Sequence, residues 1–228
     1  MGPFWIGLIA GLPMVACAHS PAPVSPPGPS SPSAHTAVVN PANIKRVGRE
    51  LPPGYEVTSG IPRGISPRVV WNLDADASVI RAEPAPCATL ADPGTGRDQS
   101  AQGVSGSGAG GIVDAVVVAL RPGPVVLDRN VVASCSQWNM SNGRTTASIR
   151  LTESPHIDGV ETLGMVADIR LSVESGAQID SRTYTFIAYL GDYYAFTTLT
   201  TDPGSMLPPL PPQFAADLLV KTVSTLRS

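Results

Sequence analysis

The only histidine outside the first 40 residues is His156, in the stretch ESPHIDG. An imidazole can act as general base if a hydroxyl or thiol lies within hydrogen-bond reach and an acid orients it. Asp158 could be that acid, which makes an exported hydrolase using His156 one reading of the chain. No G-x-S-x-G nucleophile elbow accompanies it. The local pattern, with Pro155 before the histidine and Gly159 after Asp158, suits an exposed turn between strands. Glu153, His156, Asp158 and Glu161 could gather a cation, but acidic and polar loop residues ordinarily face water, and we assign no metal site. Gly106-Ser-Gly108-Ala-Gly-Gly111 matches G-x-G-x-x-G. A dinucleotide site needs a strand before that motif and a helix after it. Here a polar loop is expected before it and a strand after it. The glycines therefore read as a flexible loop or a glycine-rich edge segment, and no cofactor is expected.

Cysteine chemistry is more informative. Cys17 follows FWIGLIAGLPMVA, an apolar, uncharged run. The run is too short to span a bilayer, which takes about 20 residues, and fits the apolar region of an export signal, about 7–15 residues. Met14-Val15-Ala16-Cys17 resembles the lipobox of bacterial lipoproteins. That resemblance implies a signal peptide over 1–16, a diacylglycerol on the Cys17 thiol, and a membrane anchor facing the extracytoplasmic side. Ala16-Cys17-Ala18 is also an A-x-A pattern, so cleavage after Ala18 and release as a secreted protein stays open. Residues 17–42 are rich in Pro and Ser with no apolar periodicity, as expected of a disordered tether. With Cys17 assigned to the anchor, Cys87 and Cys135 remain. An exported chain with an even remainder is expected to pair them, closing a loop of roughly 50 residues.

Net charge is −3, and lysine occurs only at Lys45 and Lys221. This gives no electrostatic case for nucleic acid. Residues 43–228 are long enough for one domain with a sizeable core.

The elements that would position any site are legible mostly in the second half. Asn40-Pro41 starts a short helix. LPPGYEVTSG is a turn and a strand, RVVWNLD is ambiguous, and PAPCATLAD around Cys87 is a short helix. Gly111–Leu120 is apolar on both faces and predicts a buried central strand. Asp128 can cap a second short helix ending near Cys135. The disulfide would then tie two helical segments across that strand. Asn142-Gly143 signals a hairpin. From Thr145 onward, apolar and polar residues alternate with period two through strands ending near Leu151, Val173, Leu190 and Thr201, a four-strand antiparallel meander. Pro212–Ser228 is amphipathic, with Ala215, Leu218, Leu219, Thr222 and Leu226 on one side, and should cover the meander's apolar face. The expected class is α+β: an antiparallel sheet with short helices and the C-terminal helix packed on it.

Two groups are left as weak candidates for ligand contact. Arg150 and Arg170 share a polar sheet face with Arg144 and Asp168. Tyr189, and one of Tyr193 and Tyr194, should leave the face that Tyr184, Phe186 and Leu190 turn to the core, because adjacent strand residues point oppositely.

LPPGYEV, the two cysteine segments, GSGAGGIV, ETLGM, YLGDYYAF and TDPGS…PPQFAADLLVKTV together resemble a family of mycobacterial lipoproteins of unknown function, from about Asn43 to Arg227. A looser similarity is to the extracytoplasmic sensor domain of PknH-type kinases. These resemblances imply an α+β fold with disulfides and a cleft for a ligand. They supply no catalytic residues. The function expected is a non-enzymatic, lipid-anchored envelope protein that binds a small-molecule or lipid ligand or an envelope partner. A purely structural interaction module is a further alternative.

Overall fold

Alternation with period two gives the strands of the second half one apolar face to cover, and the run Gly111–Leu120, apolar on both faces, needs cover on both. The computed structural model, which describes residues 38–60, 65–74 and 79–228, shows how. Among these residues nine strands form one antiparallel sheet, with helices packed on each face. The strands are β1 (Glu56–Thr58), β2 (Arg81–Glu83), β3 (Asp98–Gly108), β4 (Gly111–Arg121), β5 (Gln137–Ser141), β6 (Thr145–Thr152), β7 (Glu161–Ser172), β8 (Gln178–Leu190) and β9 (Tyr193–Thr201). Their order across the sheet is β1-β3-β4-β9-β8-β7-β6-β5-β2. The expected meander is β6 to β9, and β4 lies beside β9 as a buried inner strand.

The sheet is wider than the sequence reading allowed. The polar stretch before the glycine motif is strand β3, not a loop. It pairs with β4 residue for residue from Asp98↔Arg121 to Gly108↔Gly111. β2 and β5 were likewise unassigned; they pair at Arg81↔Ser141 and Glu83↔Asn139 and extend the sheet beyond β6.

The first face is covered by α1 (Pro67–Val70), α2 (Ala88–Ala91) and α3 (Arg129–Ser134), with a short 3-10 turn at Ala85–Cys87. Trp71, Leu73, Leu90, Trp138, Met165, Ile187, Tyr194 and Phe196 form its core. Asp128 caps α3 as expected, its carboxylate accepting from the amides of Asn130 and Val131. The second face is covered by α4 (Pro212–Leu226) and a 3-10 helix, Pro41–Glu50. Ile44, Val47, Val104, Val117, Phe186, Leu199, Leu219 and Leu226 meet there. The domain's contacts begin before position 43: the Asn40 amide donates to the Leu226 carbonyl at 2.8 Å.

Cys87 and Cys135 are bonded. The bridge does join two short helical segments, but both sit on the first face, at the same end of the β2–β5 pair, rather than on opposite sides of β4. The glycine motif is the tip of the β3–β4 hairpin. A strand follows it instead of a helix, which removes the dinucleotide geometry. Its glycines make room for Tyr55: a Cβ on Gly108 would stand 2.4 Å from the Tyr55 ring. Gly111 (φ +124°) is a position that L side chains resist.

Candidate functional site

Because paired residues in an antiparallel sheet face the same side, the strand registers lay out the second face in rows. One row runs Glu83, Asn139, Ser148, Asp168, Arg182 from β2 to β8. The next runs Arg81, Ser141, Thr146, Arg170, Asp180. Helix α4 and the 3-10 helix cover this face over β3, β4, β9 and the apolar end of β8. They stop short of the two rows, which remain open.

The short side chains of Asn139, Ser141, Thr146 and Ser148 make the middle of the rows low, and longer charged side chains stand at both ends. The result is a cleft of about 670 Å³, lined also by Ser181 and Pro203. Five strands cross its floor, so it runs roughly 19 Å across the sheet. At one end Arg182 Nε donates to Asp168 Oδ1 at 2.6 Å, and Arg170 Nε donates to Asp180 Oδ1 at 2.9 Å. These pairs are about half exposed, so each is worth at most about 1 kcal/mol and can be exchanged for contacts to a ligand. The Asp168 carboxylate holds the Arg182 guanidinium, already a strong base, further toward its charged form. At the other end Arg81 and Glu83 make no ion pair among the described residues.

Of the sequence candidates, Arg170 lines the cleft, together with Asp168. Arg150 faces the same side one row along, opposite Val166, and lies outside the lining. The tyrosines are elsewhere. Tyr189 and Tyr194 do point away from Tyr184 and Phe186, but that other face is itself a core, so both are buried. Tyr193 packs on the same side as Phe186. Tyr189 edges a smaller hollow of about 270 Å³ beside Leu90, Leu127 and Val131. Burial, and then Glu161, push its phenol far above the ordinary range. Burial does the same to Tyr194, followed by the nearby Asp92 carboxylate.

His156 sits in an exposed loop, its side chain 90% accessible, with Nε2 3.1 Å from Asp158 Oδ1. No serine, threonine or cysteine accompanies that pair in the hydrogen bonds of the described residues. His156→Ala is therefore expected to shift the unfolding free energy by under about 0.5 kcal/mol, as read by urea denaturation. Among the described residues no group of three or more His, Cys, Asp or Glu could hold a metal ion, and no helix is long and apolar enough to cross a membrane. Cys17 lies outside the described residues.

A family model for a domain of unknown function, DUF5642, matches residues 40–227. The chain belongs to the DUF5642 family. The match spans the region over which the sequence resembled a family of unknown function. An X-ray structure of an uncharacterized Mycobacterium smegmatis protein, an Rv0999 ortholog, is 20% identical and has a TM-score of 0.63, covering 85% of this chain and 100% of that one. At that identity the likeness speaks for the DUF5642 fold alone. The crystal structure of the extracellular domain of PknH from Mycobacterium tuberculosis is 12% identical with a TM-score of 0.46, covering 83% of this chain and 92% of that one. No curated protein matches the chain.

The cleft of this DUF5642 domain was missed in the sequence for a definite reason. Ser141, Thr146 and Ser148 carry no local signal, and β2 and β5 were not recognised as strands. Only the register brings these side chains beside Asp168 and Arg170.

Proposed function

We propose that the protein is a non-enzymatic, lipid-anchored domain on the extracytoplasmic side of the membrane, and that it binds a ligand in the open cleft of the second face. The observation that carries this reading is the cleft itself. A half-sheet left uncovered beside a fully packed half, walled by charged side chains and floored by short polar ones, has the size of a small-molecule site, about 300–1,000 Å³. Export is supported by the Cys87–Cys135 bridge, since disulfides persist in oxidising compartments. The anchor is supported by the sequence around Cys17 and by the proline- and serine-rich composition of the stretch that follows it. The absence of chemistry is supported by the solvent-facing position of His156.

Immobilised protein at high loading, equilibrated with extract of native envelope and collected without washing, is expected to hold a small molecule enriched over a control lipoprotein, as read by mass spectrometry. No enrichment at any loading would count against the binding function. The anchor is tested separately. Cys17→Ser is expected to move the protein from the detergent to the aqueous phase and to abolish labelling by a fatty-acid analogue; unchanged partitioning and labelling would remove the anchor. An acylated, multi-chain anchor makes stable rather than marginal membrane residence the expected wild-type result.

A further inference from the structure

The buried threonine hydroxyls of β8 and β9 are used internally. Thr183 and Thr200 share a hydrogen bond at 2.9 Å, Thr198 donates to Asp114 at 2.7 Å, Thr197 donates to the Ala215 carbonyl at 2.7 Å, and Thr185 accepts from the Trp71 indole at 3.2 Å. The floor of the cleft is different. Asn139, Ser141, Thr146 and Ser148 line it from the two rows, and their side chains make no hydrogen bond among the described residues. They offer donors and acceptors in two parallel rows about 7 Å apart, with neighbours about 5 Å apart within a row.

The charges around this floor cancel. Arg81, Arg170 and Arg182 stand against Glu83, Asp168 and Asp180. Arg170 and Arg182 are already engaged by carboxylates. An anion entering the cleft would meet two carboxylates for every two arginines at the β7–β8 end, and a cation would meet the converse. An acyl chain could rest on the carbon atoms of the lining, which includes Met140, Ala147, Ile169 and Pro203, but it would strip water from the Asn139 amide and the Ser141, Thr146 and Ser148 hydroxyls without replacing it, which is costly. What remains is a ligand rich in hydroxyls and without net charge, whose groups both donate and accept at spacings of about 5 Å.

Resting on the reading of the cleft as a binding site, we propose that its ligand is a neutral carbohydrate, a linear segment of three to four sugar units lying across β2, β5, β6, β7 and β8. Planar Asn139, Asp168 and Arg170 side chains would take vicinal hydroxyl pairs, and Thr146 and Ser148 would hold the middle unit. No aromatic ring lines the cleft, so no stacking platform adds to these hydrogen bonds, and the expected affinity is weak, about millimolar for a trisaccharide.

The test is saturation-transfer NMR on the purified full-length chain. The probes are neutral linear tri- to hexasaccharides of gluco-, manno-, galacto- and arabino-configuration, each beside a uronic-acid or sulfated counterpart. At least one neutral series is expected to receive saturation, with little change at about 0.5 M salt, where surface charge is screened. Thr146→Leu/Ser148→Leu should reduce that transfer at least tenfold, while His156→Ala leaves it unchanged. Both floor residues are exposed, so unaltered thermal unfolding of the double variant is expected and serves as the folding control. Should that variant unfold, Ser148→Asn, which keeps the polarity and adds bulk, takes its place. Transfer that persists in a folded floor variant, or transfer to no saccharide, overturns the proposal. Salt-sensitive preference for the acidic counterparts overturns the ligand class and leaves the site standing. Hydrogen exchange with native envelope extract separates the two claims: protection of the cleft without saccharide binding sinks the carbohydrate alone, and absence of both sinks the site as well.

Discussion

Removing the Cys87–Cys135 bridge is expected to lower the stability of the domain by about 2–4 kcal/mol. The two cysteines are 48 positions apart, and the chain between them contains β3 and β4, the long hairpin at one side of the sheet. Opening the bridge frees that loop in the unfolded state and so favours unfolding. It also loosens α3, which has no fully buried residue of its own and otherwise rests on the core through the half-buried Val131 and Val132. Both cysteines are buried, so reductant should act slowly on the native protein and fast once urea is present. The check is a urea transition followed by far-UV circular dichroism, for oxidised protein, for reduced and alkylated protein, and for Cys87→Ala/Cys135→Ala. A midpoint unchanged by reduction would mean that the bridge does not constrain this fold.

Arg68→Ala is expected to cost about 3–5 kcal/mol, the range for breaking a buried ion pair from one side. Arg68 Nε donates to Asp92 Oδ2 at 2.7 Å, and Arg68 Nη1 donates to the Leu73 carbonyl at 2.7 Å. The Asp92 side chain is only 3% accessible. Thr95 also donates to Asp92 Oδ2 at 2.8 Å, so the carboxylate pins α1, α2 and the turn after α2 over the first-face core. Without the guanidinium, a carboxylate is left in a dry site beside the buried Tyr194 phenol, whose proton it already helps to hold. The double variant Arg68→Met/Asp92→Leu removes both charges and should recover much of the loss. A double variant as unstable as the single one would show that the helical contacts of Arg68, rather than the stranded charge, set the cost.

These effects fall on the half of the molecule that sequence describes least well. β6 to β9 announce themselves because one polar and one apolar residue alternate for long stretches, and α4 does so through its stripe from Ala215 to Leu226. The cysteine pair follows from counting. β3 is hidden because DQSAQGVSGSG has the composition of a loop, and only its pairing with the β-branched run of β4 makes it a strand. β2 is three residues long and β5 five, below the length at which a period of two can be told from chance. That omission mattered twice. It placed the disulfide across β4 instead of beside the β2–β5 edge, and it left the polar face of β6 and β7 looking like ordinary solvated surface. Arg170 and Asp168 could be singled out as recognition residues, but their partners across the cleft depend on registers that no local pattern encodes. The tyrosines show the opposite limit. Alternation sends Tyr189 and one of Tyr193 and Tyr194 away from Phe186, and the register makes that one Tyr194, yet nothing local reveals that short helical segments close that face too.

Hydrogen exchange of the full-length protein, with and without extract of native envelope, tests the account most directly. Slowed exchange is expected in residues 81–83, 137–148 and 168–181, which border the cleft, with loss of that effect in Thr146→Trp, where a large exposed side chain fills the floor without touching either core. Protection centred instead on Leu90, Leu127 and Tyr189, or no protection in any part of the sheet, would contradict it.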